Sequence, residues 1–432
     1  MITKKLIDQI EGEASLYFEL EDNKVNFSTI SFGEFRGMEQ ILEQKPALDA
    51  LVLTPRVCGI CGHSHLLATV RALEDCYAQS GNPLTLSNKA QTIREITLIM
   101  EHIQNHLKWI YFTILPSLAT LDALPKQNNQ LKGAYGASLC AKVIALFGGQ
   151  WPHSSYMLPG GITSDFTNIE LLQAKNMLNE LQLFVEKEVV GSVLEDFLAF
   201  ESCKDFANLQ SDVATIEKAL LNLEMEKKGL AYDRFLVLGK HSFSLASKVV
   251  QTRVVQADAK YISTKESYSP YQKSYAKNAL YKEKYYETGP LARAIAGNSK
   301  IIKNMHRRFK DSTYLRVMAR VFEMASFIVT AKTLLDKIDI LEPSFISPKD
   351  INKISAKGVG VVEAPRGPLI HEVELEEGII KSYNIITPTQ FNIGSDTAQN
   401  PTPAQKAMMG VSKEEASFIF KSFDVCSVCT TH

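Results

Sequence analysis

Thr54-Pro55-Arg56-Val57-Cys58-Gly59-Ile60-Cys61-Gly62-His63-Ser64-His65 carries two cysteines three positions apart, and the stretch Asp424-Val425-Cys426-Ser427-Val428-Cys429-Thr430-Thr431-His432 repeats that spacing at the far end of a 432-residue chain. Two thiols so spaced can face one ion. Gly59 lets the backbone turn tightly between the first two, and Arg56 offers a positive charge that favours their thiolate forms. If both pairs grip the same metal, segments almost a full chain length apart must meet, and this constraint shapes any fold the sequence can adopt. Four thiolates form a soft donor set that suits zinc, an iron-sulfur cluster or nickel, and softness does not choose among them.

Between the motifs the patterning is mainly helical. Ile93, Ile96, Met100, Ile103, Leu107, Ile110 and Ile114 recur at steps of three and four, which predicts one long amphipathic helix with Pro116 as its stop. Leu171, Ala174, Leu178, Leu181 and Val185 predict a second, and Leu315, Met318, Phe322, Ala325 and Val329 a third. Ahead of the first motif, Leu16, Phe18 and Leu20 alternate, then Val25 and Phe27 after Glu21-Asp22-Asn23, which reads as a hairpin. From Gly358 onward Val359 to Val362, Leu369 to Leu375 and Ile379 to Ile386 read as short strands. The expectation is an α+β fold, mainly helical: one multi-lobed unit over 1–432, with the hairpin and first cysteine pair in 1–66, a bundle of long helices over 67–340, and strands with the second pair in 341–432.

Composition narrows the function classes. Lys and Arg total 47 against 48 Asp and Glu, so net charge gives no pull toward nucleic acid or anionic membrane. Tyr271, Tyr275, Tyr281 and Tyr285 do alternate with Lys273, Lys277, Lys282 and Lys284, a pattern that can bind a single strand, but the segment runs straight into Gly289-Pro290-Leu291-Ala292-Arg293. The opening residues show no export signal, since Asp8 and Glu11 precede any apolar stretch of sufficient length, and stretches such as Val189 to Phe200 are too short or too charged to span a bilayer. The expected location is cytoplasmic, or at a membrane through a partner. Cys76, Cys140 and Cys203 are scattered among apolar neighbours and read as buried small hydrophobes.

Arg56-x-Cys58-Gly59-x-Cys61-x-x-x-His65 resembles the N-terminal signature of nickel-iron hydrogenase large subunits, and Asp424-x-Cys426-x-x-Cys429-x-x-His432 is similar to their C-terminal one. The likeness continues in order through Ile10-Glu11-Gly12, Phe35-Arg36-Gly37-Met38-Glu39, Gly148-Gly149, Pro152-His153, Pro159-Gly160-Gly161, Gly289 to Arg293, Glu363-Ala364-Pro365-Arg366-Gly367 and Pro388-Thr389. It implies a protein that splits or makes H2 heterolytically at a nickel-iron centre whose iron carries cyanide and carbon monoxide. Cys58 and Cys426 would bind nickel terminally, while Cys61 and Cys429 would bridge to iron. Glu39, the backbone carbonyl of Ile385 and His432 would hold a magnesium or other hard divalent ion.

The resemblance also implies who handles the proton. Heterolysis needs a base beside a Lewis acid, and Cys426 is the implied base. Arg366 would lie over the metals as an orienting charge, because a guanidinium is almost never deprotonated. Glu11 would be the first proton relay, Thr389 would donate to a metal ligand, and His65 would orient a bridging cysteine. On its own each reads more plainly: Glu39 and Glu11 as solvated carboxylates, His65 as a core histidine, Arg366 as a surface arginine. Three positions depart from the family pattern. Glu13 stands where histidine is common, Val425 follows Asp424 in place of proline, and Ser117 stands where many relatives carry an aspartate, which would leave only Asp424 of the usual acidic pair to face Arg366.

Apart from the two pairs, no cysteine has iron-sulfur spacing, so electrons must leave through a partner. The resemblance implies an iron-sulfur small subunit in an obligate heterodimer, with metal-insertion factors and a maturation protease, the chain here ending in the mature form. Two other readings stand beside it: an H2-sensing relative with little turnover, and a non-catalytic protein with a structural four-cysteine zinc.

Overall fold

A computed structural model of the chain describes residues 2–126, 129–239, 242–243, 245–251 and 253–432. The alternating run near the N-terminus forms the expected hairpin, with strand Gly12–Glu21 antiparallel to Lys24–Ser31. Asp22 and Asn23 turn it at φ 49° and 62°, the left-handed pair of a tight hairpin that small polar side chains tolerate. A third strand, Ile2–Ile10, pairs with the outer edge of Gly12–Glu21. Periodicity did not announce it, because its apolar Ile2 and Leu6 point outward from an edge position.

The stripe of isoleucines lies on helix Asn88–Trp109, whose first turn is capped by the Ser87 side chain. Pro116 does not stop it. The helix widens into a π-helical stretch, Ile110–Ile114, and continues as Leu115–Thr120 with the proline in its first turn. Proline removes one hydrogen-bond donor, and the widened turn just ahead of it absorbs the missing bond without breaking the axis. The second stripe lies on Asn168–Phe184, which also passes into a π-helical stretch, Val185–Val190, and the third on Thr313–Asp336.

The helices expected over 67–340 do not run uninterrupted. Strands Phe235–Val237, Lys248–Val250 and Val254–Gln256 form one small sheet, and Ile262–Glu266 pairs with Lys277–Tyr281 in another. At three to five residues each, these strands are too short to leave a period in the sequence. The tyrosine-lysine segment is largely committed to this packing: Tyr281 and Tyr285 are buried, and Tyr271 stacks on Tyr17 with ring centroids 4.9 Å apart.

The C-terminal strands form the sheet Ala356–Ala364, Gly367–Glu376, Ile379–Ile386 in sequence order. Helix Gly62–Gln79, which begins immediately after the first cysteine pair, lies against the first of these strands. A Cβ at Gly360 would come within 1.9 Å of the Ala68 carbonyl oxygen, and one at Gly358 within 2.1 Å of that of Ala72. Two glycines on the strand therefore let helix and sheet backbones touch, fixing the first motif relative to the sheet. Around this seam the main apolar core extends from Ile7 and Phe18 through Ile96 and Val317 to Phe423.

Candidate metal centre

The first cysteine pair is built on a helix start. Cys61 caps helix Gly62–Gln79, and the orphan amides of its first turn are taken up by a carboxylate from the neighbouring helix. Glu101 Oε2 accepts from the His63 N–H at 2.8 Å, and Oε1 from the Ser64 N–H at 3.0 Å and from the Ser64 hydroxyl. Glu101 is fully buried, and burial raises its carboxyl to about 8 despite these donors. Gly62 is required here, because a Cβ would stand 2.5 Å from the Pro55 carbonyl oxygen.

The second pair is a single turn, Ser427–Thr430, held from outside. The Ser427 N–H donates to the Glu11 carbonyl at 2.8 Å and the Glu11 N–H to that of Val425 at 3.4 Å, so the end of the N-terminal strand pairs with the C-terminal motif. Gly12 permits this approach: its φ is +83°, and a Cβ would fall 2.0 Å from Ser427 Oγ. Arg36 joins the two motifs, donating to the carbonyls of Arg56 (3.3 Å) and Val57 on one and Val428 (3.1 Å) on the other.

These contacts bring Cys58, Cys61, Cys426 and Cys429 together, all buried, with every ligand atom within 4.8 Å of the others. Cys58 Sγ lies 3.7 Å from Cys426 Sγ, Cys61 Sγ 3.4 Å from Cys429 Sγ, and Cys426 Sγ 2.8 Å from Cys429 Sγ. All four are free thiols. Burial opposes ionisation of Cys58, but hydrogen bonds from Cys426, Cys429 and Cys61, aided by Arg366, hold it well below the ordinary thiol range. Cys61 lies well above that range through its bonds with Cys426, Cys429 and Cys58, and burial lifts Cys426 and Cys429. The protein's own charges thus support one thiolate, and all four ionise together only around a cation. The donor set fits a soft transition metal.

Arg366 is buried above the thiols. Its Nη2 donates to Asp424 Oδ1 at 3.0 Å, its Nε to the Asp424 carbonyl at 2.9 Å and its Nη1 to Asn105 Oδ1 at 3.2 Å. Asp424 also pairs with Arg320 at 3.1 Å. Thr389 Oγ1 is buried with no hydrogen-bond partner among the described residues, and Thr389 lines a small cavity with Cys61, Cys429, His65 and Arg366. On the other side a cavity of about 210 Å³ is lined by Glu11, Asn105, Lys108, Arg366 and Asp424 among others. Burial first, then the charge on Cys58, raises the Glu11 carboxyl.

Glu39 and His432 meet at 3.4 Å, and the Ile385 N–H donates to Glu39 Oε1 at 2.9 Å. N–H and C=O of one strand residue project to the same side, so the Ile385 carbonyl faces this pair. Lys277 Nζ lies 3.2 Å from Glu39 Oε2. Burial opposes the charge on Glu39, but the His432 and Ile385 hydrogen bonds and Lys277 outweigh it and hold the carboxyl at about 2. His65 Nε2 is 3.9 Å from Cys429 Sγ, and burial pushes this imidazole down to about 3.

The family model described as nickel-dependent hydrogenase matches residues 36–130 and 129–432. The chain belongs to that family. It is 24% identical to the periplasmic [NiFeSe] hydrogenase large subunit of Desulfomicrobium baculatum over 99% of this chain and 93% of the relative. It is 25% identical to the beta subunit of the NAD-reducing hydrogenase HoxS of Cupriavidus necator over 100% and 95%. The Ni-Fe-Se hydrogenase from D. vulgaris Hildenborough in its reduced state shares the fold, with a TM-score of 0.84 at 20% identity and 100% coverage of both chains. The protein is accordingly a hydrogenase, an oxidoreductase that activates H2 at a thiolate-held nickel-iron centre. Where two of these relatives carry selenium in their names, this hydrogenase has cysteine in both pairs.

Two expectations need correction. Arg56 does not face the thiols: it is exposed and donates to the Val52 carbonyl, so the charge beside the thiolates comes from Arg366. Among the described residues Asp424 is the carboxylate bonded to Arg366, the Asn105 amide stands on the other edge of the guanidinium, and Ser117 Oγ has no partner. Cys76 and Cys140 are buried as expected, but Cys203 is only partly so. Sequence reasoning also passed over Arg36 and Glu101. Arg36 sat inside a quoted motif, while Glu101 was hidden within an amphipathic helix, where a buried carboxylate breaks no period.

Proposed function

We propose that this chain is the H2-activating large subunit of a heterodimeric hydrogenase, cleaving or forming H2 and passing electrons to an iron-sulfur small subunit. The observation that carries the reading is the convergence of four buried thiols beneath a buried guanidinium, with a half-buried carboxyl on the adjoining cavity. When bound, a nickel-iron centre with cyanide and carbon monoxide on iron supplies the Lewis acidity that splits H2 heterolytically. Cys58, Cys61, Cys426 and Cys429 would hold that centre through their four thiolates, Cys58 and Cys426 as ligands of nickel and Cys61 and Cys429 as sulfurs available to both metals.

Cys426 Sγ takes the proton, and Glu11 receives it in turn. Burial brings the protonated and ionised forms of that carboxyl closer in energy, as a relay requires. Arg366, kept charged by Asp424, would orient the small molecule and the ligands on iron, and the Thr389 hydroxyl, unpartnered among the described residues, would be free to donate to one of those ligands. Glu39, His432 and the Ile385 carbonyl hold a magnesium or similar hard ion, and Lys277 helps to balance the carboxylate.

Electron transfer needs the partner, because the four cysteines are the only metal-competent grouping of His, Cys, Asp and Glu among the described residues. Exposed Phe35, Ile41, Leu48 and Val52, in the stretch leading to the first motif, offer apolar surface for it. Among the described residues no helix is long and apolar enough to cross a membrane, so attachment to one would come through the partner. Insertion factors and a maturation protease complete the assembly. The test is metal counting on the purified heterodimer, joined to Glu11→Gln. Nickel and iron at one each per chain are expected, with Glu11→Gln retaining both metals while H2/D+ exchange falls about tenfold or more. Zinc alone would favour the structural reading, and unchanged exchange in Glu11→Gln would take that residue out of the relay.

A further inference from the structure

A second histidine lies behind the one that faces the thiols. His65 Nδ1 is 3.0 Å from His371 Nε2, and His371 Nδ1 is 2.8 Å from the Tyr383 hydroxyl and 3.1 Å from that of Thr69. The far edge of His65 presents Nε2 to Cys429 Sγ at 3.9 Å. His65, His371 and Tyr383 are all buried, and neither ring is bonded to a carboxylate among the described residues. His371 lies on strand Gly367–Glu376, opposite Ile385, and Tyr383 lies opposite Val373, so the two side chains are diagonal neighbours on one face of the sheet.

A neutral imidazole carries one N–H, so a row of two such rings has only two consistent hydrogen arrangements. In one, Tyr383 O–H donates to His371 Nδ1, His371 Nε2–H donates to His65 Nδ1, and His65 Nε2–H donates to Cys429 Sγ. In the other every bond is reversed, and a bare nitrogen lone pair faces the sulfur. A thiolate at Cys429 accepts only, so it selects the first arrangement and makes the second repulsive. The Thr69 hydroxyl donates to the His65 carbonyl at 2.9 Å, so of the two hydroxyls beside His371 Nδ1 it is that of Tyr383 whose proton is left to donate there.

We propose that His371 and Tyr383 are positioning residues that fix His65 as its Nε2–H tautomer, so that it donates a hydrogen bond to the Cys429 thiolate. The inference rests on the reading of Cys429 as a metal-binding thiolate. Removing the donor behind His65 would let its proton move to Nδ1, and the sulfur would lose its only imidazole donor among the described residues, becoming a stronger electron donor to whatever it binds. The register that places His371 beneath His65 also presents Ile385 to Glu39, so one cross-strand pair serves both flanks of the centre.

The test uses the metal-loaded heterodimer with 15N-labelled histidine, reading which nitrogen of His65 is protonated from its imidazole 15N shifts in a diamagnetic state. The native protein should show protonated Nε2. His371→Phe should lose that signature and shift the midpoint potential of the centre while retaining the metals. His371→Gln, whose amide N–H can replace the lost donor, should restore both, and Tyr383→Phe should leave a mixture of tautomers. A protonated Nδ1 at His65 in the native protein, an unchanged tautomer in His371→Phe, or failure of His371→Gln to restore the signature would each overturn the proposal. Failure of the underlying reading is separately visible as absence of nickel and iron from the native protein.

Discussion

The first cysteine pair stands on a long helix that is capped by Glu101 and pressed against a sheet through Gly358 and Gly360. The second stands on one turn of chain that borrows its fixings from Glu11, Arg36, Arg320 and Arg366, all distant in sequence. The first half of the centre is therefore preorganised by its own secondary structure, while the second acquires its shape by docking. Two halves that contribute two sulfurs each need not contribute equally to assembly.

The largest expected effect ignores that asymmetry. Cys61→Ser and Cys429→Ser should both abolish nickel binding and turnover, since a hydroxyl at either place removes a soft donor; nickel retained in one but not the other would show that a single half can hold the metal. Gly12→Val should come next. A β-branched side chain at φ +83° that collides with Ser427 should cost about 3 kcal/mol or more, release the C-terminal turn and lower nickel loading severely, with carboxypeptidase trimming the tail faster.

Glu101→Gln probes the preorganised half. Burial places the native carboxyl at about 8, above its unfolded value, so its protonated form is favoured in the folded protein. Its contribution is full below about pH 4.5 and is lost as pH rises toward 8, with a slope of up to about 1.4 kcal/mol per pH unit. Thermal midpoints across that range should flatten in the variant, and an undiminished slope would assign the pH dependence to other groups. Arg36→Ala removes bonds to both motifs and should cost about 1 to 3 kcal/mol, loosening the docked half more than the built one. Arg56→Ala, exposed and turned from the thiols, should change stability by less than about 0.5 kcal/mol and leave metal loading unchanged.

The cysteine pairs, the three helical stripes and the hairpin were legible because each rests on local spacing that chemistry or periodicity enforces. The small strands between 235 and 281 were not, since three residues cannot show a period and their pairing is set by tertiary contacts. Pro116 misled because a π turn can absorb a proline that a regular helix cannot. At the centre, the residue types were legible but the neighbours were not. Which side chain lies beside Arg366, Asn105 or Ser117, depends on which face of a distorted helix looks inward, and twelve residues of sequence spanning a π turn do not fix that. Arg56 and Arg366 show the same limit, because a charge near in sequence lost its place to one far away.

The contact between Gly358, Gly360 and the carbonyls of Ala72 and Ala68 leaves no room for water at those two points between helix Gly62–Gln79 and strand Ala356–Ala364. Amides buried at those points can meet solvent only when helix and sheet separate, an opening close in cost to unfolding the whole core. The turn carrying Cys426 and Cys429 has no such seal and can lift away in a smaller, more frequent fluctuation. Deuterium should therefore enter the two halves of the thiol cluster on different clocks, and heating should dismantle the centre one pair at a time, from the C-terminal side.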